Sequence, residues 1–196
     1  MKKSVFALAA AVAASSFLSA ADIKLPAPDK KGGIPLMQAL DQRKTIRSYS
    51  EKALPMQVVS ELFWAASGVN RPDGRMTAPT AHNLQEITLY AVLPSGVFRY
   101  DAEKHTLVQV SGENITQNMT GKAPLSVVFV ADTKKQPQIK YSAVDCGFIS
   151  QNIYLYCASA GLGTVVRGMY DKSFTGKLNL PKGSEVLFIQ SVGYPK

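Results

Sequence analysis

Arg43-Lys44-Thr45-Ile46-Arg47-Ser48-Tyr49 and, further along, Ala78-Pro79-Thr80-Ala81-His82-Asn83-Leu84-Gln85 are the two segments on which the reading of this chain turns. The first sets three cationic side chains and a hydroxyl within five residues, and the second carries two carboxamides. An anion is held best by charge-assisted donors, and the planar guanidinium fork supplies two at once with fixed geometry. The edge of a heteroaromatic ring calls instead for mixed donors and acceptors, which carboxamides provide. Arg43 and Arg47 meet the first need; Asn83 and Gln85 meet the second. Together they suit a planar ligand that carries a phosphate. The plain alternative is that Arg43 and Arg47, four apart on a helix, share a face and pair with Asp41 or Glu51.

Outward from these segments the chain alternates helical and strand patterns. Helical spacing predicts a short helix over residues 35–42 and a second over 55–67, where Val58, Val59, Leu62, Phe63 and Ala66 recur and Gly68 ends the run. Residues 70–79 hold Arg, Pro, Asp and Gly and read as a loop. Residues 86–93 have strand character, and 97–100 with 106–110 read as a hairpin whose turn leaves His105 in solvent, away from catalysis. The almost unbroken apolar run 125–131 predicts a central strand buried on both faces. The longest helical pattern spans 139–160, with Val144, Phe148, Ile149, Ile153, Tyr156, Cys157 and Ala160 on a broad apolar stripe closed by Gly161 and Gly163. A stripe that wide needs cover on more than one side, and a second copy of the chain supplies it. Asp171 is placed to cap a last short helix, and 185–192 reads as the final strand.

In order and content the two opening segments resemble the nitroreductase family of flavin mononucleotide (FMN) enzymes. In that family a first helix ends in an Arg-Arg-Ser-x-Arg-like run, and the next loop reads Pro-Ser-Ala-x-Asn-x-Gln. The resemblance implies an α+β fold with a central, mainly antiparallel sheet flanked by helices, working as a homodimer. It implies that Arg43, Lys44, Thr45 and Arg47 hold the phosphate, ribitol and pyrimidine edge of the flavin. Pro79, Thr80, Ala81 and Asn83 then approach that flavin from the other subunit, with His82 at the variable position as a possible substrate contact. Residues 161–168 resemble the segment whose backbone faces flavin N5, which implies contacts from Val166, Arg167 and Gly168. Lys196 lies where members often place a basic phosphate contact. The implied activity is a ping-pong, two-electron transfer from a small-molecule donor to a nitroaromatic, quinone or similar acceptor. Residues 64–69, 74–79 and 96–101 also look like the flavin dehydrogenases of the same superfamily that oxidise thiazolines during peptide maturation. Two alternatives stay open: a non-catalytic module that binds or scavenges flavin, and a dehydrogenase acting on a peptide or other small substrate.

The ends and the charge bound these readings. Residues 1–21 combine Met1-Lys2-Lys3, an apolar stretch and small residues at Ser19-Ala20-Ala21, the pattern of a cleavable secretory signal. A stable membrane anchor needs about 20 apolar residues, and that reading is weaker. Export to the periplasm is therefore expected, and behind the signal an exposed lead-in over 22–33 and a single domain over 34–196. The whole chain has net charge +8; without Lys2 and Lys3, 20 basic residues stand against 14 acidic ones. The lysines are scattered and lack interleaved aromatics, which argues against a nucleic-acid surface. Cys146 and Cys157 fall on one predicted helix about 16 Å apart along its axis, too far for a disulfide. With two cysteines and two histidines the sequence offers no metal-ligand spacing.

Overall fold

The apolar run 125–131 becomes β5 (Leu125–Asp132) in a computed structural model that describes residues 21–196. Strand β2 (Ile87–Leu93) pairs with it on one side and β7 (Ser184–Gly193) on the other, both antiparallel. Beyond β2 lie β3 (Gly96–Asp101), β4 (Thr106–Ser111) and the two-residue β1 (Ile23–Lys24). Beyond β7 lies β6 (Gly163–Arg167). The seven-stranded order is β1-β4-β3-β2-β5-β7-β6, antiparallel at every named pairing. Successive side chains of a strand point to opposite faces. Leu125, Val127, Phe129 and Ala131 therefore join one buried cluster while Val128 and Val130 join another. Both faces are covered, which is why β5 needs no polar alternation.

Three α-helices pack with this sheet: α1 (Leu36–Gln42), α2 (Met56–Ser67) and α3 (Ile139–Ser159). In α2 the expected stripe is the buried one, with Val59, Leu62, Phe63 and Ala66 wholly inaccessible. Its end needs glycine, because a Cβ on Gly68 would stand 2.7 Å from the Trp64 carbonyl oxygen. In α3, Cys146, Ile149, Ile153 and Cys157 are buried against the sheet, whereas Val144 and Phe148 stay exposed. Both thiols are free, and burial pushes both well above the ordinary thiol value, so neither serves as a thiolate. The far face of the sheet is closed by Ile115, Met119, Phe174 and Leu178 from two 3-10 segments and their flanks. Asp171 caps the second of these, accepting the Ser173 N–H at 2.9 Å.

Three features depart from the sequence reading. Residues 163–167 form an edge strand, where the sequence reading has a glycine helix stop and a ligand-facing backbone segment but no strand. The lead-in is exposed at most positions, yet Ile23 and Lys24 pair with β4 and Leu25 is buried. His105 is also not free in solvent: it is half-buried and bonded through both ring nitrogens. Ser60 Oγ donates to the Pro26 carbonyl at 2.5 Å, so it must accept from His105 Nε2–H at 2.7 Å. The Tyr100 hydroxyl then donates to Nδ1 at 2.9 Å. Only the neutral ring satisfies all three bonds, and burial lowers the imidazole pKa accordingly. The reading of residues 1–21 as a signal lies outside the described residues except at Ala21.

The unfolded chain thus takes up a proton at His105 at a higher pH than the folded one does. Stability should fall as pH drops below the ordinary histidine value of 6.5. Thermal melts at pH 7 and pH 5 should show a smaller acid-induced loss in His105→Gln than in the parent; an equal loss would remove His105 as the cause.

Candidate functional site

Helix α1 stops at Gln42, and Arg43 is its C-terminal cap with extended backbone at ψ 120°. The basic run is therefore not helical, and Arg43 and Arg47 do not share a helix face. It lies along the outer edge of β6, where Thr45 forms a parallel bridge with Thr164 and the Ile46 N–H donates to the Thr164 carbonyl at 3.1 Å. The close approach depends on glycine: a Cβ on Gly163 would sit 2.7 Å from the Ile46 side chain. Tyr49, 5% exposed, bonds from its hydroxyl to the Ile46 carbonyl at 2.6 Å. Its backbone bridges Pro195, and the Lys196 N–H reaches the Ser48 carbonyl at 3.3 Å. The fold thus gathers Arg43, Lys44, Thr45, Arg47, Lys196 and β6 into one region.

Among the described residues no carboxylate lies within ion-pair distance of Arg43, Lys44 or Arg47. The alternative of pairing with Asp41 or Glu51 is not realised. Lys44, Thr45 and Arg47 are exposed and Arg43 half-buried, its guanidinium 5.5 Å over the Tyr154 ring. A cavity of about 550 Å³ opens beside the run, with Lys44 and Ile46 the only residues of 43–47 in its wall; Asp41, Tyr154, Leu162 and Thr164 line it too. Of the β6 residues, Val166 and Arg167 are half-buried and Gly168 exposed. The Arg167 guanidinium is already engaged, donating to Ser191 Oγ at 2.9 Å, so its backbone is the part left for a ligand.

The loop 79–85 does not join this region. Its Ala81 N–H donates to Asp145 Oδ2 at 2.9 Å, near the start of α3. Tyr154, the α3 residue beside the basic run, lies nine positions later, about 14 Å along the axis and about 180° around it. The helix itself stands between the two sets of residues. The loop is held in a costly conformation, with φ of 55° at His82, 56° at Asn83 and 49° at Gln85. Left-handed backbone at a residue other than glycine costs about 1–2 kcal/mol. Gln85 serves the loop itself, donating to the Gly74 carbonyl at 3.1 Å, and His82 stands edge-on to Tyr141 at 6.5 Å. Pro79, His82 and Asn83 are exposed.

Asp145 anchors the loop from a buried position, 2% exposed, next to Glu86 at 1%. Burial, with the neighbouring Asp145 charge adding to it, raises the Glu86 carboxyl above its ordinary value of 4.5. Neither residue stood out in the sequence, nor did Tyr154, which reads there as one more aromatic on an apolar helix. Among the described residues no group of three or more His, Cys, Asp or Glu side chains is placed to hold a metal, and no helix is long and apolar enough to cross a membrane.

The molecule is an α+β domain with an antiparallel sheet and a cationic run, without an ion-pair partner among the described residues, bound to its edge strand. Residues 40–194 match the model of the nitroreductase family, and the chain belongs to that family of oxidoreductases. A crystal structure from Ralstonia eutropha JMP134 that carries a nitroreductase name is 37% identical, with a TM-score of 0.86, over 91% of each chain. A nitroreductase-named protein of Methanocaldococcus jannaschii is 26% identical over 76% of this chain and 84% of its own. The fold is also that of an FMN-dependent nitroreductase from Clostridium difficile R20291, with a TM-score of 0.58 and 23% identity over 82% of this chain and 87% of that one.

Because folded Glu86 keeps its proton to a higher pH than the unfolded chain does, stability should decline as pH rises above the ordinary carboxyl value of 4.5. Glu86→Gln replaces the protonated acid by an isosteric neutral group. It should flatten that decline and raise the melting temperature at pH 8. A parallel pair of curves would show that Glu86 is ionised in the fold.

Proposed function

We propose that this chain is an FMN-dependent oxidoreductase acting as a homodimer, passing two electrons in ping-pong fashion from a small donor to a nitroaromatic, quinone or similar acceptor. The observation that carries the reading is the cationic run Arg43, Lys44 and Arg47, which has no ion-pair partner among the described residues and is bound by its backbone to the edge of β6. The residues fit the cofactor. The volume of about 550 Å³ lies in the range of roughly 300–1,000 Å³ usual for small-molecule sites. The missing Cβ at Gly163 keeps the run close against the strand that borders the cavity.

When bound, FMN supplies hydride chemistry at N5. Arg43, Lys44, Thr45 and Arg47 bind its phosphate and ribitol, with Lys196 beside them. Arg47 or Lys44 would set positive charge beside the pyrimidine edge of the bound flavin. Val166, Arg167 and Gly168 present backbone to the ring. Pro79, Thr80, Ala81 and Asn83 of the second copy close the site from across the two-fold axis, and His82 of that loop meets substrate. Two observations support the dimer: the loop lies on the far side of α3 from the basic run, and large apolar side chains lack cover. Leu36 and Met37 of α1 are 62% and 75% exposed, Val144 and Phe148 of α3 54% and 44%. Reading residues 1–21 as an export signal adds that FMN is taken up after export by ligand-free protein.

Removing a guanidinium from a charge-assisted bond costs about 1.5–3 kcal/mol, or roughly 10- to 100-fold in affinity. Arg43→Ala and Arg47→Ala should each weaken FMN binding to that extent in a fluorescence titration, and the parent affinity should fall with added salt. The melting temperature of ligand-free Arg47→Ala should stay near that of the parent, since the Arg47 guanidinium has no ion-pair partner. Unchanged FMN affinity in both variants would dismiss the site.

A further inference from the structure

Tyr154, on α3, meets both the basic run and β6 beside the cavity. It is 9% exposed and lines the cavity together with Lys44, Ile46 and Thr164. Its hydroxyl accepts the Val166 N–H at 3.2 Å and lies 3.4 Å from Thr45 Oγ1. Its ring carries the Arg43 guanidinium at 5.5 Å. One side chain thus touches the cationic run at two residues and the β6 backbone at a third.

The sheet edge explains why a tyrosine is useful here. β6 pairs with β7 on one side only, so alternate backbone groups of β6 point outward and need other partners. One outward group, the Thr164 carbonyl, is taken by the Ile46 N–H of the basic run. Another, the Val166 N–H, is taken by the Tyr154 hydroxyl. A hydroxyl has one proton and two lone pairs, so it can accept from Val166 and still donate elsewhere, with Thr45 Oγ1 in reach. Phenylalanine would fill the same space and carry the same cation, but would leave that N–H unpaired.

We infer that Tyr154 is a positioning residue for the flavin, fixing the cationic run and the outward edge of β6 in one register so that phosphate and ring are bound together. The inference rests on the flavin reading of the site. Arg43 is kept over the ring, its guanidinium carbon 5.5 Å from the centroid, which narrows the directions in which its fork can point. The Val166 N–H is kept from turning, which sets the backbone that Val166, Arg167 and Gly168 offer to the ring.

Tyr154→Phe tests the hydroxyl alone, and Tyr154→Leu removes the platform under Arg43 as well. In fluorescence titrations Tyr154→Phe should raise the FMN dissociation constant about 3- to 10-fold, the usual worth of one hydrogen bond, and Tyr154→Leu further. The flavin midpoint potential should shift in Tyr154→Phe relative to the parent, because the backbone facing the ring has lost its brace. Thr45→Val provides a second variant on an exposed residue, and a double-mutant cycle with Tyr154→Phe should show coupling in FMN affinity. In ligand-free protein, amide exchange at Val166 should speed up selectively in Tyr154→Phe. A parent protein that binds no FMN would overturn the flavin reading and this inference with it. A parent that binds FMN, beside a folded Tyr154→Phe with the same affinity and potential, would overturn this inference alone.

Discussion

Helix α3 is an opaque partition, and the layout of the proposed site follows from it. One face of the helix, at Asp145, holds the loop 79–85 through the Ala81 N–H. The opposite face, at Tyr154, meets the basic run and β6. Nine helical residues separate them by about 14 Å in height and half a turn in angle, and no small ligand reaches around a packed helix. A ligand that touches both sets of residues therefore draws on two copies of the chain. The exposed apolar residues of α1 and of α3 itself fit the same requirement. The strain stored at His82, Asn83 and Gln85 also makes sense in that light, because strained backbone persists where a function needs a fixed loop tip.

The cationic half is built by a different device. An extended segment with three like charges repels itself and has little reason to adopt one shape. Here it is fixed by backbone bonds on both sides, to Thr164 of β6 and to the chain end at residues 194–196. Tyr49 fastens it from beneath, and burial pushes its phenol up to about 12, so it remains a neutral donor throughout the physiological range. Gly163 makes the approach possible by having no side chain. The charges are thus presented by rigid backbone and stay available to an anion.

Much of this was legible in the sequence, for identifiable reasons. The α2 and β5 patterns are strong because burial on one stripe, or on both faces of a strand, leaves a periodic trace in the residues themselves. The cationic run and the carboxamide loop were legible as chemistry. That they lie on opposite faces of α3 was not, since it depends on which side of a helix each loop reaches in three dimensions. β6 was hidden by its flanking glycines, although Thr164, Val165 and Val166 are good strand formers. His105 was misjudged because a polar turn reads as solvent, and the lead-in that partly buries it carries few apolar residues. Tyr154 and Asp145 on a long helix, and Glu86 just ahead of β2, left no signal, for an aromatic or an acid means nothing until its partners on other elements are known.

The most direct measurement mixes two disabled proteins. One carries Arg43→Ala with Arg47→Ala; the other carries Asn83→Glu, which sets a carboxylate at the exposed loop tip. Each alone should bind FMN poorly. After co-refolding, a mixed dimer with the site shared across its two-fold axis holds one site with both defects and one with neither. FMN binding at parental affinity should then return at about a quarter of the sites. No recovery of binding in verified mixed dimers would contradict a site built from two copies of this chain.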